Sequence, residues 1–222
     1  MGTWATYDID QLLLFSPQVY WRLLQLHNQN IWPWQIVTLA LGLLMIAALL
    51  RPRVNSSRAV MALLVVSWLL VAWDFLATRY ATINWAVEYV VPFFLLQAVL
   101  LTIHGAIRNQ LRIRPGRNIP YLLGLGLTIY AVTVHPWVAV LGGHPLAAAE
   151  VFGIFPDPTA IATLGVLTTM RRNAWVLLLL TIPILWCLIS GLTLYAMEAW
   201  SAWITLAAAT LALVAHFWPR GG

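Results

Sequence analysis

Four ionisable side chains stand inside otherwise apolar stretches of this chain: Asp74, Glu88, His135 and Asp157. Carboxylates beside an imidazole suit a divalent metal, a proton relay or a cationic solute. Their spacing matches no ligand motif, so the chemistry depends on whether the fold gathers them. A charge at the centre of a membrane helix costs about 2.5–3.5 kcal/mol on insertion scales, which favours their facing one another or a water-filled cavity. The alternative is structural, with Asp74 or Glu88 paired to Arg79 and His135 bonded to a nearby carbonyl. Pro156-Asp157-Pro158-Thr159 is the most unusual local feature. Pro156 resists continuing a preceding helix, Asp157 can N-cap, and Pro158 suits the first helical position. A half-helix starting there aims its free N–H groups at the polar layer; a plain capped short helix explains the same residues.

Other constellations carry less. His104 and His216 sit at helix ends, where either a bis-histidine haem or favourable dipole placement accounts for them. Ser190-Gly191 with His135 imitates a serine–histidine dyad, but Cys187-Leu188-Ile189 stands where a glycine-rich approach is expected. Cys187 is the one cysteine, so internal disulfides and CxxC motifs are excluded. Every one of the 12 basic residues is arginine, and without lysine a retinal Schiff base is excluded too. Neither a metal nor a cofactor is named by the sequence, and no complete catalytic set is present.

The elements that must position these residues are read from hydropathy. The chain is 62% hydrophobic and 9% charged, against about 25% charged in a soluble domain. Its mean hydropathy is +0.83. The expected fold is all-α, a polytopic membrane bundle of about seven transmembrane helices preceded by an amphipathic helix. Apolar runs extend over Trp34–Leu50, Ala59–Thr78, Ile83–Ile103, Tyr121–Leu141, Ala174–Leu194 and Trp200–Phe217. A shorter run, Pro158–Met170, either spans or is re-entrant, since a span needs roughly 20 residues. No cleavable signal peptide is visible, because Asp8, Asp10, Gln25, His27 and Asn28 interrupt the first thirty residues. Ser16 and Pro17 read as N-cap and first helical residue. Val19, Tyr20, Leu23, Leu24 and His27 then recur on one helical face. The division is 1–31 as an interfacial segment, lying on the membrane or capping the bundle, and 32–222 as the membrane domain.

Arginines set the orientation. Arg51, Arg53, Arg58, Arg108, Arg112, Arg114, Arg117, Arg171, Arg172 and Arg220 fall on one side if all seven runs cross. Arg22 and Arg79 fall on the other. The positive-inside rule then places the N-terminus outside and the C-terminus in the cytoplasm. The same pattern argues that the pI near 9.9 is a topology signal and not a nucleic-acid footprint. Counting about 1.5 Å per residue along each helix places Asp74, Glu88, His135, Asp157 and Ser190 in one layer of the outer half. Trp32, Trp34, Trp85, Trp137, Trp200 and Trp218 lie at segment ends, where indoles favour the interface. No internal repeat is evident.

Leu14-Phe15-Ser16-Pro17, with Tyr20, Asn28 and Trp32-Pro33, resembles the opening of a family of uncharacterised bacterial multi-spanning membrane proteins. Gly153-Ile154-Phe155-Pro156-Asp157-Pro158-Thr159, with Gly165, resembles that family's second signature. The family's pattern often has cysteine between the two prolines; Asp157 stands there, so no soft-metal role is implied. This resemblance implies a bacterial inner-membrane protein and no activity. Three functions follow in order: an accessory or binding subunit packed against a larger membrane complex, with Gly124 and Gly126 as a small face for a neighbouring helix, a small-solute or ion permease using the polar layer, and a membrane-embedded enzyme. The lipid bilayer and other membrane subunits are the expected partners, with no nucleic acid. From the arginine distribution, a phosphatase fused after Arg220 is expected to be inactive and one inserted at Gly143 active; the reverse at both sites inverts the orientation.

Overall fold

Helices apolar on every face must lie in lipid or in the interior, and this chain supplies both kinds. The computed structural model describes residues 13–116 and 118–219. Asp8, Asp10, Arg117 and Arg220 therefore lie outside the described residues. Among the described residues eight helices run in order: α1 Pro17–Asn30, α2 Trp34–Leu50, α3 Ser56–Thr82, α4 Trp85–Ile107, α5 Ile119–Leu141, α6 Pro156–Thr168, α7 Ala174–Ala196 and α8 Ala202–Phe217. Among the described residues no strand forms, and one isolated antiparallel bridge joins Ile113 to Met170.

Four helices, α3, α4, α5 and α7, are long and apolar enough to cross a membrane. Counting α1 and α2 as one broken span, bent by 90°, makes five. The chain is an integral membrane protein on this ground, and the expected count of seven resolves into fewer full-length helices. The shortfall has a physical reason. α8 has 16 residues and α6 only 13, less than the roughly 20 that span hydrocarbon. The end tryptophans Trp32, Trp34, Trp85, Trp137, Trp200 and Trp218 are all exposed, whereas Trp68 and Trp186 are buried.

Caps set several boundaries. Ser16 Oγ accepts the Val19 N–H at 3.4 Å, with Pro17 opening α1 as expected. Asn118 Oδ1 accepts the Tyr121 N–H at 3.0 Å, and Asn173 Oδ1 accepts the Val176 N–H at 2.9 Å. α1 buries Tyr20, Leu24, His27 and Asn28 against the bundle while Val19 is exposed.

α6 is the centre of the assembly. It packs against α3, α5, α7 and α8, and the whole run from Ala148 to Met170 is buried. The chain descends into the bundle before α6 begins and leaves at the opposite end. There Arg114 N–H donates to the Thr169 carbonyl at 3.0 Å and Arg171 N–H to the Arg112 carbonyl at 2.8 Å.

Two devices allow so close a bundle. The first is a backbone crossing of α5 and α6 at Gly124 and Gly165. A Cβ on Gly124 would sit 2.5 Å from the Gly165 carbonyl, and one on Gly165 would sit 2.6 Å from the Gly124 carbonyl. The small face expected at Gly124 and Gly126 is thus used inside the chain at Gly124, while Gly126 meets nothing within 4 Å. The second concerns Pro183 within α7, which has no N–H for the Leu179 carbonyl. Fully buried Gln97 of α4 donates its Nε2 to that carbonyl at 3.0 Å. Because overpacking typically costs about 1–3 kcal/mol, Gly165→Ala and Gly124→Ala are expected to destabilise by about that much, and Gly126→Ala not at all. Thermal unfolding in detergent micelles checks the contrast.

Candidate functional site

Three titratable groups line one small cavity where α1, α5, α6 and the 142–155 loop converge: His135, Glu150 and Asp157. Each is placed by an identifiable local cause. Asn28 of α1 donates Nδ2 to the carbonyls of Ala147 and Ala149, both at 2.8 Å. Gln35 of α2 fixes that asparagine, donating Nε2 to its carbonyl at 2.8 Å and to its Oδ1 at 3.0 Å. The clamped loop turns Glu150 inward, where the Tyr20 hydroxyl donates to Oε1 at 3.2 Å. His135 precedes Pro136, whose missing N–H interrupts the helical ladder. A π-helical turn at Tyr130–Val134 passes there into a 3₁₀ turn at His135–Trp137. The distortion leaves His135 Nε2 3.8 Å from Glu150 Oε2.

Asp157 is held differently. Its Oδ1 accepts the Trp186 indole N–H at 2.8 Å and its Oδ2 the Ser190 hydroxyl at 2.7 Å. The carboxylate is therefore engaged by α7 and does not cap its own helix. Phe155 occupies the N-cap position and α6 starts at Pro156, so the expected capping by Asp157 and first-position Pro158 are corrected by two residues. Thr159 takes over the local bonding, accepting the Gly153 N–H at 2.9 Å and donating to the Phe155 carbonyl at 2.7 Å. Gly153 adopts φ +80°, a conformation that favours glycine.

The cavity measures about 10 Å³, with Ser201 and Thr205 also on its wall. That is close to the space of a single water. Glu150 and Asp157 are 8% and 2% exposed, so two carboxylates share an interior with very little room. Among the described residues no hydrogen-bond partner reaches Glu150 Oε2, His135 Nδ1 or the Tyr130 hydroxyl.

The structure brings together two of the four residues expected to form a polar layer, His135 and Asp157. Asp74 lies instead 3.7 Å from His27 Nε2, with its side chain 49% exposed. Glu88 is exposed in the opening 3₁₀ turn of α4. Arg79 is partly buried with Nε unpartnered, and among the described residues it forms no ion pair with Asp74 or Glu88. Depth counting overlooked Glu150, because it lies in a loop where helical rise does not apply. Tyr20 and Asn28 carry the resemblance without pointing to a role, and nothing in the sequence singles out Trp186.

Among the described residues no three of histidine, cysteine, aspartate and glutamate are placed to share a metal ion. Ser190 directs its hydroxyl to Asp157 and not to His135. His104 Nδ1 lies 2.6 Å from Gln110 Oε1, and its ring stacks on Trp175 at 3.9 Å. His216 is buried near the end of α8.

Residues 17–220 match a family described as of unknown function, DUF6064. The chain belongs to that family. No curated protein and no solved structure matches it. The two stretches that carry the resemblance, far apart in sequence, meet at this cavity: Tyr20 and Asn28 from the first, Asp157 from the second. Asn28→Ala would leave two carbonyls and the Gln35 amide short of partners. Losing a buried partner costs about 1–3 kcal/mol, and a matching loss of thermal stability is expected, with earlier proteolysis of the 142–155 loop.

Proposed function

We propose that this membrane protein is an accessory or binding subunit that holds one proton at Glu150, His135 and Asp157. The observation that carries the reading is two buried carboxylates at one water-sized cavity, with Glu150 Oε2 unpartnered and an imidazole at 3.8 Å. Bringing a second unpaired charge into such an interior costs several kcal/mol, which one bound proton relieves. A volume near 10 Å³ excludes an organic solute.

The proposed setting is a bacterial inner membrane, with seven crossings formed by α2, α3, α4, α5, the descent through α6, α7 and α8. The N-terminal segment lies outside. Supporting this count, α6 emerges beside Arg112 and Arg114, so Arg171 and Arg172 join the arginine-rich side. A proton-linked permease is the second reading. It is favoured by a pocket of about 80 Å³ whose wall includes Tyr20, Trp186 and Ser190, the three residues that donate to the carboxylates. Against transport, the way toward the arginine-rich side is blocked. Trp68 donates to Thr163 Oγ1 at 2.9 Å, and the Gly124–Gly165 crossing lies beyond it. The enzyme reading is weakest, since the Ser190 proton is directed away from His135.

Infrared spectroscopy in nanodiscs tests the proposal. A protonated-carboxyl band that is lost in Glu150→Gln or Asp157→Asn is expected. A spectrum unchanged by both substitutions would sink it. Proton flux into liposomes that depends on Glu150 would move the function to the permease.

A further inference from the structure

At the opposite end of the bundle from this cluster lies a larger cavity, of about 340 Å³, between the start of α5 and the ends of α6 and α8. Its wall carries two guanidinium groups, Arg114 and Arg172, together with Asn118, His216 and Trp218. The seven acidic residues of the sequence are Asp8, Asp10, Asp74, Glu88, Glu150, Asp157 and Glu198, and none belongs to the segments that form this end. Among the described residues no arginine forms an ion pair with a carboxylate. Among the described residues the two arginines on this wall therefore have no carboxylate counter-charge.

They are also held on a built scaffold. The Ile113–Met170 bridge, with Arg114 N–H on the Thr169 carbonyl and Arg171 N–H on the Arg112 carbonyl, ties the two arginine-bearing segments together. Ser57 Oγ accepts the Ile113 N–H at 3.1 Å, and Asn173 Nδ2 donates to the Gln110 carbonyl at 3.0 Å. Arg172 lies over the Phe217 ring, 5.3 Å from its centroid. The C-terminal turn of α6 also reaches this cavity. Its Gly165, Val166, Leu167 and Thr169 carbonyls already accept N–H groups, so they leave little negative potential to oppose an anion. Tyr121 is spent on the Leu49 carbonyl, whereas Asn118 uses only its oxygen as a cap and keeps its Nδ2 donors.

We propose that this cavity binds the phosphate of an anionic phospholipid headgroup. Guanidinium forks match phosphate oxygens in geometry and charge. Basic pockets between membrane helices are a recurrent setting for such headgroups. The wall is amphipathic in the way a lipid requires: beside the arginines stand Ile119, Pro120, Ala215 and Trp218, and the outer face of α5 continues with exposed Leu122. A free phosphate offers the same chemistry at the head and has no use for that apolar margin.

Native mass spectrometry of protein exchanged into mixed phosphatidylglycerol and phosphatidylcholine decides the matter. Wild type should retain phosphatidylglycerol preferentially. The pair Arg114→Gln with Arg172→Gln should retain it roughly thirtyfold less, two surface arginines contributing about that factor. Arg53→Gln with Arg58→Gln, on the same end but off the cavity wall, should behave as wild type. Arg114→Gln alone, which spares the Phe217 contact, should show an intermediate loss. Equal retention of both lipids by wild type, or equal loss in the two double variants, overturns the proposal. Stabilisation of lipid-free protein by inorganic phosphate, dependent on Arg114, would keep the phosphate site and assign it to a soluble anion.

Discussion

An interior without water obliges every polar atom of the buried run Ala148–Met170 to find its partner within the chain, and much of this architecture follows from that. α6 meets the demand with threonines. Thr159, Thr163 and Thr168 each donate to the carbonyl four residues before, and Thr169 to the one three before. Two of them also serve as acceptors, Thr159 for the Gly153 N–H and Thr163 for the Trp68 indole. Once its hydroxyls are closed in this way, α6 can be surrounded by helices on all sides. The Gly124–Gly165 contact then lets α5 approach until backbone meets backbone.

The cluster at the head of α6 is where that obligation is only partly met. Asp157 is satisfied by two donors from α7, whereas Glu150 has one oxygen bonded and one open. A half-satisfied buried network is costly, and natural chains retain such networks mainly where the open valence is used. Both family signatures contribute to this one place. Asn28 and Gln35 brace the loop from below while Tyr20 and His135 hold the carboxylate it presents.

Charge is divided between the two ends of the bundle. Among the described residues the five carboxylates lie toward one end, and eight of the ten arginines belong to the loops at the other. The separation gives each end its own chemistry: two carboxylates at a cavity fit for one water, and two arginines at a cavity more than thirty times larger. Between them stands α6, whose packing beyond Asp157 is apolar apart from the threonine hydroxyls and the Trp68 bond.

Composition and hydropathy alone determined that this is an all-α membrane protein, because apolar runs of that length have no other stable setting. Local chemistry also determined the start of α1 at Ser16-Pro17, the extent of α2 and the end-placed tryptophans, all decided by neighbours a few residues away. The site was half legible. His135 and Asp157 could be assigned to one level by helical rise, yet the same count placed Asp74 and Glu88 there, since depth along a helix says nothing about the direction in which a side chain faces. Glu150 could not be found in this way. Its place depends on an asparagine 122 residues earlier that bonds the Ala147 and Ala149 carbonyls, and on a tyrosine 130 residues earlier. Only the tertiary structure could decide that a glycine read as a surface for a partner belongs to an internal crossing, or that Asp157 bonds to α7 and not to its own helix. Hydrogen bonds between distant segments leave no period in the sequence, and where water is excluded they choose which polar groups meet.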